Sequence, residues 1–195
     1  MDPMFMNSND ALLLVDIQRD FCPGGALPVE GGSDVVPVLN RWIDAARQCG
    51  ARIVASRDWH PPDHTSFRDR GGRWPQHCIQ DSEGAEFHPD LKIPEDAKIV
   101  SKGLRPDADN YSAFDRTPLA DELRHSGIQR IFLGGLAQDV CVRQTALDAR
   151  QLGFEVHLIT DATRPLSAQD GERALREMQQ AGVFTDTTEP GKSRT

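Results

Sequence analysis

Apolar residues along this chain follow two rhythms, and their alternation sets the expected fold. Short, nearly continuous apolar runs read as strands buried on both faces, whereas an apolar residue at every third or fourth position reads as an amphipathic helix. The runs are Ala11 to Asp16 (ALLLVD), Ala51 to Ser56 (ARIVAS), Lys98 to Ser101 (KIVS), Arg130 to Gly135 (RIFLGG), Phe154 to Thr160 (FEVHLIT) and the short Gly182 to Thr187 (GVFTDT). After the first run, Ser33 can cap a helix that carries Val36, Leu39, Ile43 and Ala46 on one face and stops at Gly50, just past Cys49. Thr117 can cap another, with Pro118 at its first position and its end near Gly127. Asp139 to Gly153 puts Val142, Ala146 and Ala149 on its packed side, and Ser167 opens a last helix through about Ala181. Strands alternating with helices in this way indicate βαβ units and a parallel sheet.

Composition narrows the partners more than the fold. With 195 residues, 38% of them hydrophobic, the chain can bury one real core, so a single domain over residues 11–187 is expected. Residues 1–10, with three methionines and no periodicity, read as a disordered leader or expression remnant, and residues 188–195 as a flexible tail. A formal charge of -8 without a basic block argues against nucleic acid or an anionic membrane as partner, and no apolar run approaches the length of a membrane span. A cytoplasmic protein with a small-molecule partner is the expectation, with homo-oligomerisation left open. Cys22, Cys49, Cys78 and Cys141 form no CxxC pair and are expected as free thiols.

The reactive residues collect at strand ends. Asp16 ends the first run, Asp58 follows the second, Lys102 follows the third, and Cys141 sits where the fourth has just turned into a helix. In an open parallel sheet the carboxyl ends share one edge, which is where such folds bind ligands. A helix start and a nearby lysine favour thiolate over thiol, and Asp16 can take and return a proton, so Cys141, Lys102 and Asp16 form a candidate nucleophilic site. The long irregular stretch from about Arg57 to Ala97 contains DWHPPDHTSF (Asp58 to Phe67), in which Pro61 and Pro62 exclude a helix and enforce a rigid loop. Histidines and aspartates on such a loop suggest a metal such as zinc, iron or manganese. Asp20, Asp63, Asp139 and Asp161 read as turn or cap residues, and His88, His125 and His157 receive no functional role.

VDIQRDF, DWHPPDH, WPQHC, SKG, NYSAFD and GGLAQDVCVRQTALDA stand in the order and spacing of the nicotinamidase/pyrazinamidase family, within the isochorismatase-like hydrolases, and the chain resembles that family over nearly all of Ala11 to Thr187. The resemblance implies a single three-layer α/β/α, Rossmann-like domain with a six-stranded, mainly parallel sheet. It implies an amidase of NAD salvage that converts nicotinamide, and pyrazinamide with it, to the acid and ammonia through a cysteine thioester. Cys141 matches the nucleophile, Asp16 the acid/base and Lys102 the lysine of that family. Asp58, His60 and His77 match its ligands to one divalent ion, with zinc expected and iron or manganese as alternatives, and His64 is a candidate further ligand. Phe21, Trp74, Tyr111 and Leu136 are implied as substrate contacts. A cis peptide between Leu136 and Ala137 and an oxyanion hole from the N–H groups of Ala137 and Cys141 are implied as well. Gln138 departs from the threonine frequent at its place, which puts the pocket's polar contacts in question. Another amide, a carbamoyl compound or a vinyl ether is the alternative substrate, and a non-catalytic binding protein on the same scaffold is the alternative of another class.

Overall fold

The computed structural model describes residues 6–187 and residue 190. Six strands, β1 (Asp10–Val15), β2 (Arg52–Asp58), β3 (Lys98–Lys102), β4 (Arg130–Leu136), β5 (Glu155–Arg164) and β6 (Phe184–Thr187), form one sheet in the order β3-β2-β1-β4-β5-β6. Every neighbouring pair is parallel, so all carboxyl ends do fall on one edge. The order reverses at β1, which places the switch point between β1 and β4.

Alternation along β1 shows why the first run is apolar throughout. Leu12 and Leu14 enter the core half that includes Val36, Leu39, Trp42 and Ile43 of helix α1 (Val35–Cys49). Ala11, Leu13 and Val15 enter the half on the other face. That half is covered by α2 (Leu119–His125), α3 (Arg143–Gln151) and α4 (Ala168–Gln180), which contribute Leu119, Leu123, Ala146, Ala149, Ala174 and Met178. A strand flanked by helices on both faces has no polar side to show. Among the described residues no helix is long and apolar enough to cross a membrane.

Three caps follow the expected chemistry and one does not. Ser167 accepts a hydrogen bond from the Asp170 N–H at the start of α4, and Gly50 ends α1 in the left-handed region (φ 73°), its N–H donating to Ala46 O. Ser33 does not cap α1: it lies in a 3₁₀ turn, Gly32–Asp34, and its hydroxyl pairs with His88 Nε2 at 3.3 Å. Thr117 does cap α2: its Oγ1 accepts the Leu119 N–H at 3.4 Å, and its hydroxyl donates to Ala113 O at 2.6 Å. The amino-terminal boundary also moves. Asp10 is buried in β1 and paired with Arg130 at 2.7 Å, and Met6 packs against the core, so the leader reading fails for Met6 to Asp10; Met1 to Phe5 lie outside the described residues.

Candidate active site

The expected convergence takes place at the carboxyl edge. Asp16 immediately follows β1, Asp58 and Lys102 are the last residues of β2 and β3 and pair in register, and Cys141 lies in a π-helical turn, Gln138–Val142, that joins β4 to α3. Lys102 is the hub. Its ammonium is 2.8 Å from Asp16 Oδ2, 2.5 Å from Asp58 Oδ1 and 3.5 Å from the Cys141 sulfur, with Asp16 and Lys102 essentially sealed from solvent. Ser56 donates to the other oxygen of Asp16 at 2.6 Å. Oδ2 of Asp16 makes no regular hydrogen bond besides its ion pair, which leaves it a lone pair for the neighbouring thiol.

Electrostatics separates the two carboxylates. Burial alone would raise Asp58, but Lys102 and then His60 hold it well below the usual carboxylate range. Asp16 faces fewer cations, and burial outweighs Lys102 there, so its carboxyl is raised. Lys102 stays charged: the two carboxylates overcome the cost of its burial. The helix start and Lys102, which favour a thiolate, meet opposing influences at this sulfur. Burial pushes the Cys141 thiol well above its ordinary value, and Asp16 and Asp58 add to this against the opposition of Lys102, whose charge is already shared by both carboxylates. The sulfur therefore rests as a thiol beside a raised carboxylate able to take its proton.

Asp58, His60 and His77 bring one donor atom each within 4.8 Å of one another. The donor chemistry fits a divalent ion. His60 donates through Nδ1 to Gly103 O at 3.1 Å and His77 through Nδ1 to Pro75 O at 2.8 Å, which turns Nε2 of each ring toward the donor cluster. His77 is held neutral by burial, and Asp58 Oδ2 lies 3.7 Å from His60 Nε2. His64, the candidate further ligand, does not join them. Its Nδ1 accepts from the Ser66 N–H at 3.2 Å, so the proton sits on Nε2 and points at Ala108 O at 3.3 Å, leaving no free lone pair. The close approach of His60 to the third strand explains the glycine of SKG: at φ 66°, a Cβ on Gly103 would lie 2.3 Å from His60 Cε1.

Asp58, His60, His77 and Cys141 open onto one small pocket. Phe21, Trp74, Tyr111, Ala137, Cys141, His60 and His77 all line it. Tyr111 receives the Trp74 Nε1–H at 3.1 Å and donates to Asp109 at 2.7 Å; burial first, then Asp109, push its phenol up to about 12. Leu136 is corrected: its side chain is fully buried in the α1 half of the core and does not line the pocket. The peptide Leu136–Ala137 is cis, as expected. Gln138 turns away as well, donating to Gly171 O in α4 at 3.1 Å, and does not line the pocket. Leu27, Val29, Val140 and Leu166 are apolar walls that the sequence reading missed, because single apolar residues in loops have no period to reveal them. Asp20 is more than a turn residue. It accepts the Cys78 N–H at 2.7 Å and the Ala26 N–H at 3.1 Å, which fixes the backbone next to His77. All four cysteines are free, as expected.

Comparisons with known proteins agree with this geometry. The model of the isochorismatase domain family matches residues 10–190. A nicotinamidase of Escherichia coli is 44% identical over 89% of this chain and 92% of its own length, and a nicotinamidase/pyrazinamidase of Mycobacterium tuberculosis is 38% identical over 89% and 96%. The crystal structure of a pyrazinamidase of Pyrococcus horikoshii in complex with zinc superposes with a TM-score of 0.88 at 50% identity, covering 90% of this chain and 97% of that one. A hub lysine between two carboxylates and a thiol, a three-donor set on the same pocket and similarity over nearly the whole length lead to one assignment: the chain belongs to the nicotinamidase family of the isochorismatase-like hydrolases.

Proposed function

We propose that this protein hydrolyses nicotinamide, and pyrazinamide with it, to the corresponding acid and ammonia through a thioester on Cys141. The observation that carries the reading is the sharing of one small pocket by the Cys141 sulfur and the donors Asp58, His60 and His77. A hydrolase needing only a nucleophile has no use for the second set, whereas a heteroaromatic amide presents an electrophilic carbon and a ring nitrogen together. Bound at Asp58, His60 and His77, a divalent ion, zinc in our reading, supplies a Lewis-acid contact for that ring nitrogen. Everything else is done by the chain itself. Phe21 and Trp74 enclose the flat ring and exclude water. Asp16 takes the thiol proton as the sulfur attacks the carboxamide carbon, and Lys102 compensates the charge left between them. The N–H groups of Ala137 and Cys141 are assigned to the oxyanion. Asp16 returns its proton to the leaving ammonia, then takes one from the water that cleaves the thioester and passes it to the departing sulfur.

Ammonia release from nicotinamide by the purified protein tests the activity directly. The ratio of kcat/KM for nicotinamide over benzamide, which lacks the ring nitrogen, tests the reading of the donor set. Wild type should prefer nicotinamide strongly, and a folded His60→Ala protein should lose most of that preference, on the order of a thousandfold. An unchanged ratio would return the three donors to a structural role.

A further inference from the structure

Asp16 leaves the sheet where a regular strand would continue. Its backbone turns into the left-handed region (φ 52°), and the register of β1 with β2 ends at Val15 opposite Ser56. β2 runs two residues further, to Asp58. The Asp58 N–H and C=O that face β1 therefore have no strand residue opposite them, and a buried, unpaired pair of backbone groups is costly. Gln18, the fourth residue of VDIQRDF, fills the gap. Its Oε1 accepts the Asp58 N–H at 2.7 Å, its Nε2 donates to Asp58 O at 2.8 Å, and the second Nε2 hydrogen goes to Ala85 O at 2.9 Å. The side chain is fully buried. A carboxamide offers the same donor and acceptor pair as a peptide unit, so Gln18 supplies by side chain the ladder rung that β1 gives up.

We propose that Gln18 is a positioning residue for the metal-ligating carboxylate. By completing the ladder it holds Asp58 in strand geometry at the height of Lys102, while leaving Asp16 free to turn out of β1 and meet the same ammonium. Base and ligand thus come from adjacent strands without either backbone being left unpaired. The side chain has no ready substitute. Asparagine is one methylene short, glutamate lacks the two donors and would face two carbonyl oxygens, and methionine matches the length but pairs with nothing. The third bond carries the effect outward, since Ala85 belongs to the 3₁₀ turn Glu83–Ala85, and the chain beyond it returns to the β1 end through His88 N–H to Ile17 O at 2.8 Å.

This inference rests on Asp58 as a ligand, and its test separates it from the substrate assignment. Gln18→Met and Gln18→Glu would be purified, their folding followed by circular dichroism, and zinc affinity measured with zinc chloride against a chromophoric chelator. The folded Gln18→Met protein should bind zinc 10–100-fold more weakly than wild type, with Gln18→Glu between the two. Ammonia release should recover as zinc is raised, its midpoint shifted while kcat at saturation returns near the wild-type value. Should Gln18→Met not fold, Gln18→Glu carries the comparison. Wild-type zinc affinity in a folded but less stable variant would overturn the proposal, as would lost affinity that zinc does not rescue. Failure of both variants to fold would make Gln18 a structural residue only, and failure of wild type to bind zinc would remove the ligand with it. If wild type binds zinc but releases no ammonia, the nicotinamide reading falls while the affinity comparison still decides Gln18.

Discussion

Replacing Lys102 by Met should expose how much of this site is held by one charge. Asp16 and Asp58 place carboxylate oxygens within 4.8 Å of each other, with the ammonium as the shared counter-charge. Without it, two buried negative charges at that distance repel by about 3.5 kcal/mol at an effective dielectric near 20, equivalent to roughly 2.5 units of proton affinity on one of them. Breaking a buried ion pair on one side costs about 3–5 kcal/mol, which for a chain of this size lowers Tm by roughly 6–20 °C. The sign with pH is fixed by the two carboxyls. In wild type Asp58 is depressed, so its contribution is present at neutral pH and lost as pH falls. In the variant one carboxyl, Asp16 by its raised starting point, is raised further, so the folded state is favoured at low pH and loses stability as pH climbs through that value. Thermal melts of both proteins in chelator should therefore differ more at pH 8 than at pH 5. Adding Asp16→Asn to the variant should recover at least half of the loss at pH 8, since it removes the unbalanced charge. A gap of the same size at both pH values, or no recovery in the double variant, would refute the account of Lys102 as a shared counter-ion.

Cys141→Ala should abolish ammonia release while nicotinamide binding, read by calorimetry, persists, because the thiol forms the intermediate and covers little of the pocket. Gly103→Ala should reduce zinc affinity at least tenfold by driving a methyl group into His60, whereas Gly71→Ala, at φ 86° with nothing within 4 Å of the added carbon, should cost only roughly 1–2 kcal/mol of stability and leave zinc binding alone. Ser167→Ala removes the α4 cap and should lower Tm by roughly 2–4 °C, for about 1 kcal/mol, with kcat/KM unchanged. An intact Tm would mean that Asp170 takes over the cap.

What could be read from the chain and what could not divide along a physical line. Strands with apolar side chains on both faces and helices with one apolar stripe announce themselves by period, and once their order is known the carboxyl-edge rule brings Asp16, Asp58, Lys102 and Cys141 together. The family motifs supplied the candidate ligands His60 and His77, which no periodicity places. Side chains that bond to a distant segment left no trace: Gln18 on Asp58, Asp20 on Cys78 and Ser33 toward His88 each bridge more than 35 positions. Leu136 was misread because, as the last residue of β4, it neighbours the pocket in sequence while its side chain points into the core. The burial that does most to raise the Cys141 thiol was not legible from its helix start and the nearby lysine.

That raised thiol bears on how the protein withstands oxidants. Peroxide attacks thiolates, so a nucleophile that rests protonated behind apolar walls is a slow target at neutral pH. Cys22 and Cys78 are shielded in the same way, each raised chiefly by burial. On the proposed route reactivity at Cys141 is conditional: Asp16 takes the thiol proton as the sulfur attacks a bound carbonyl carbon. A cysteine hydrolase built like this needs no resolving thiol nearby to rescue it, and inactivation by peroxide at pH 7 should be slower than the oxidation of free cysteine. On that route the fit of the ring, more than the intrinsic reactivity of the sulfur, would set its selectivity for electrophiles.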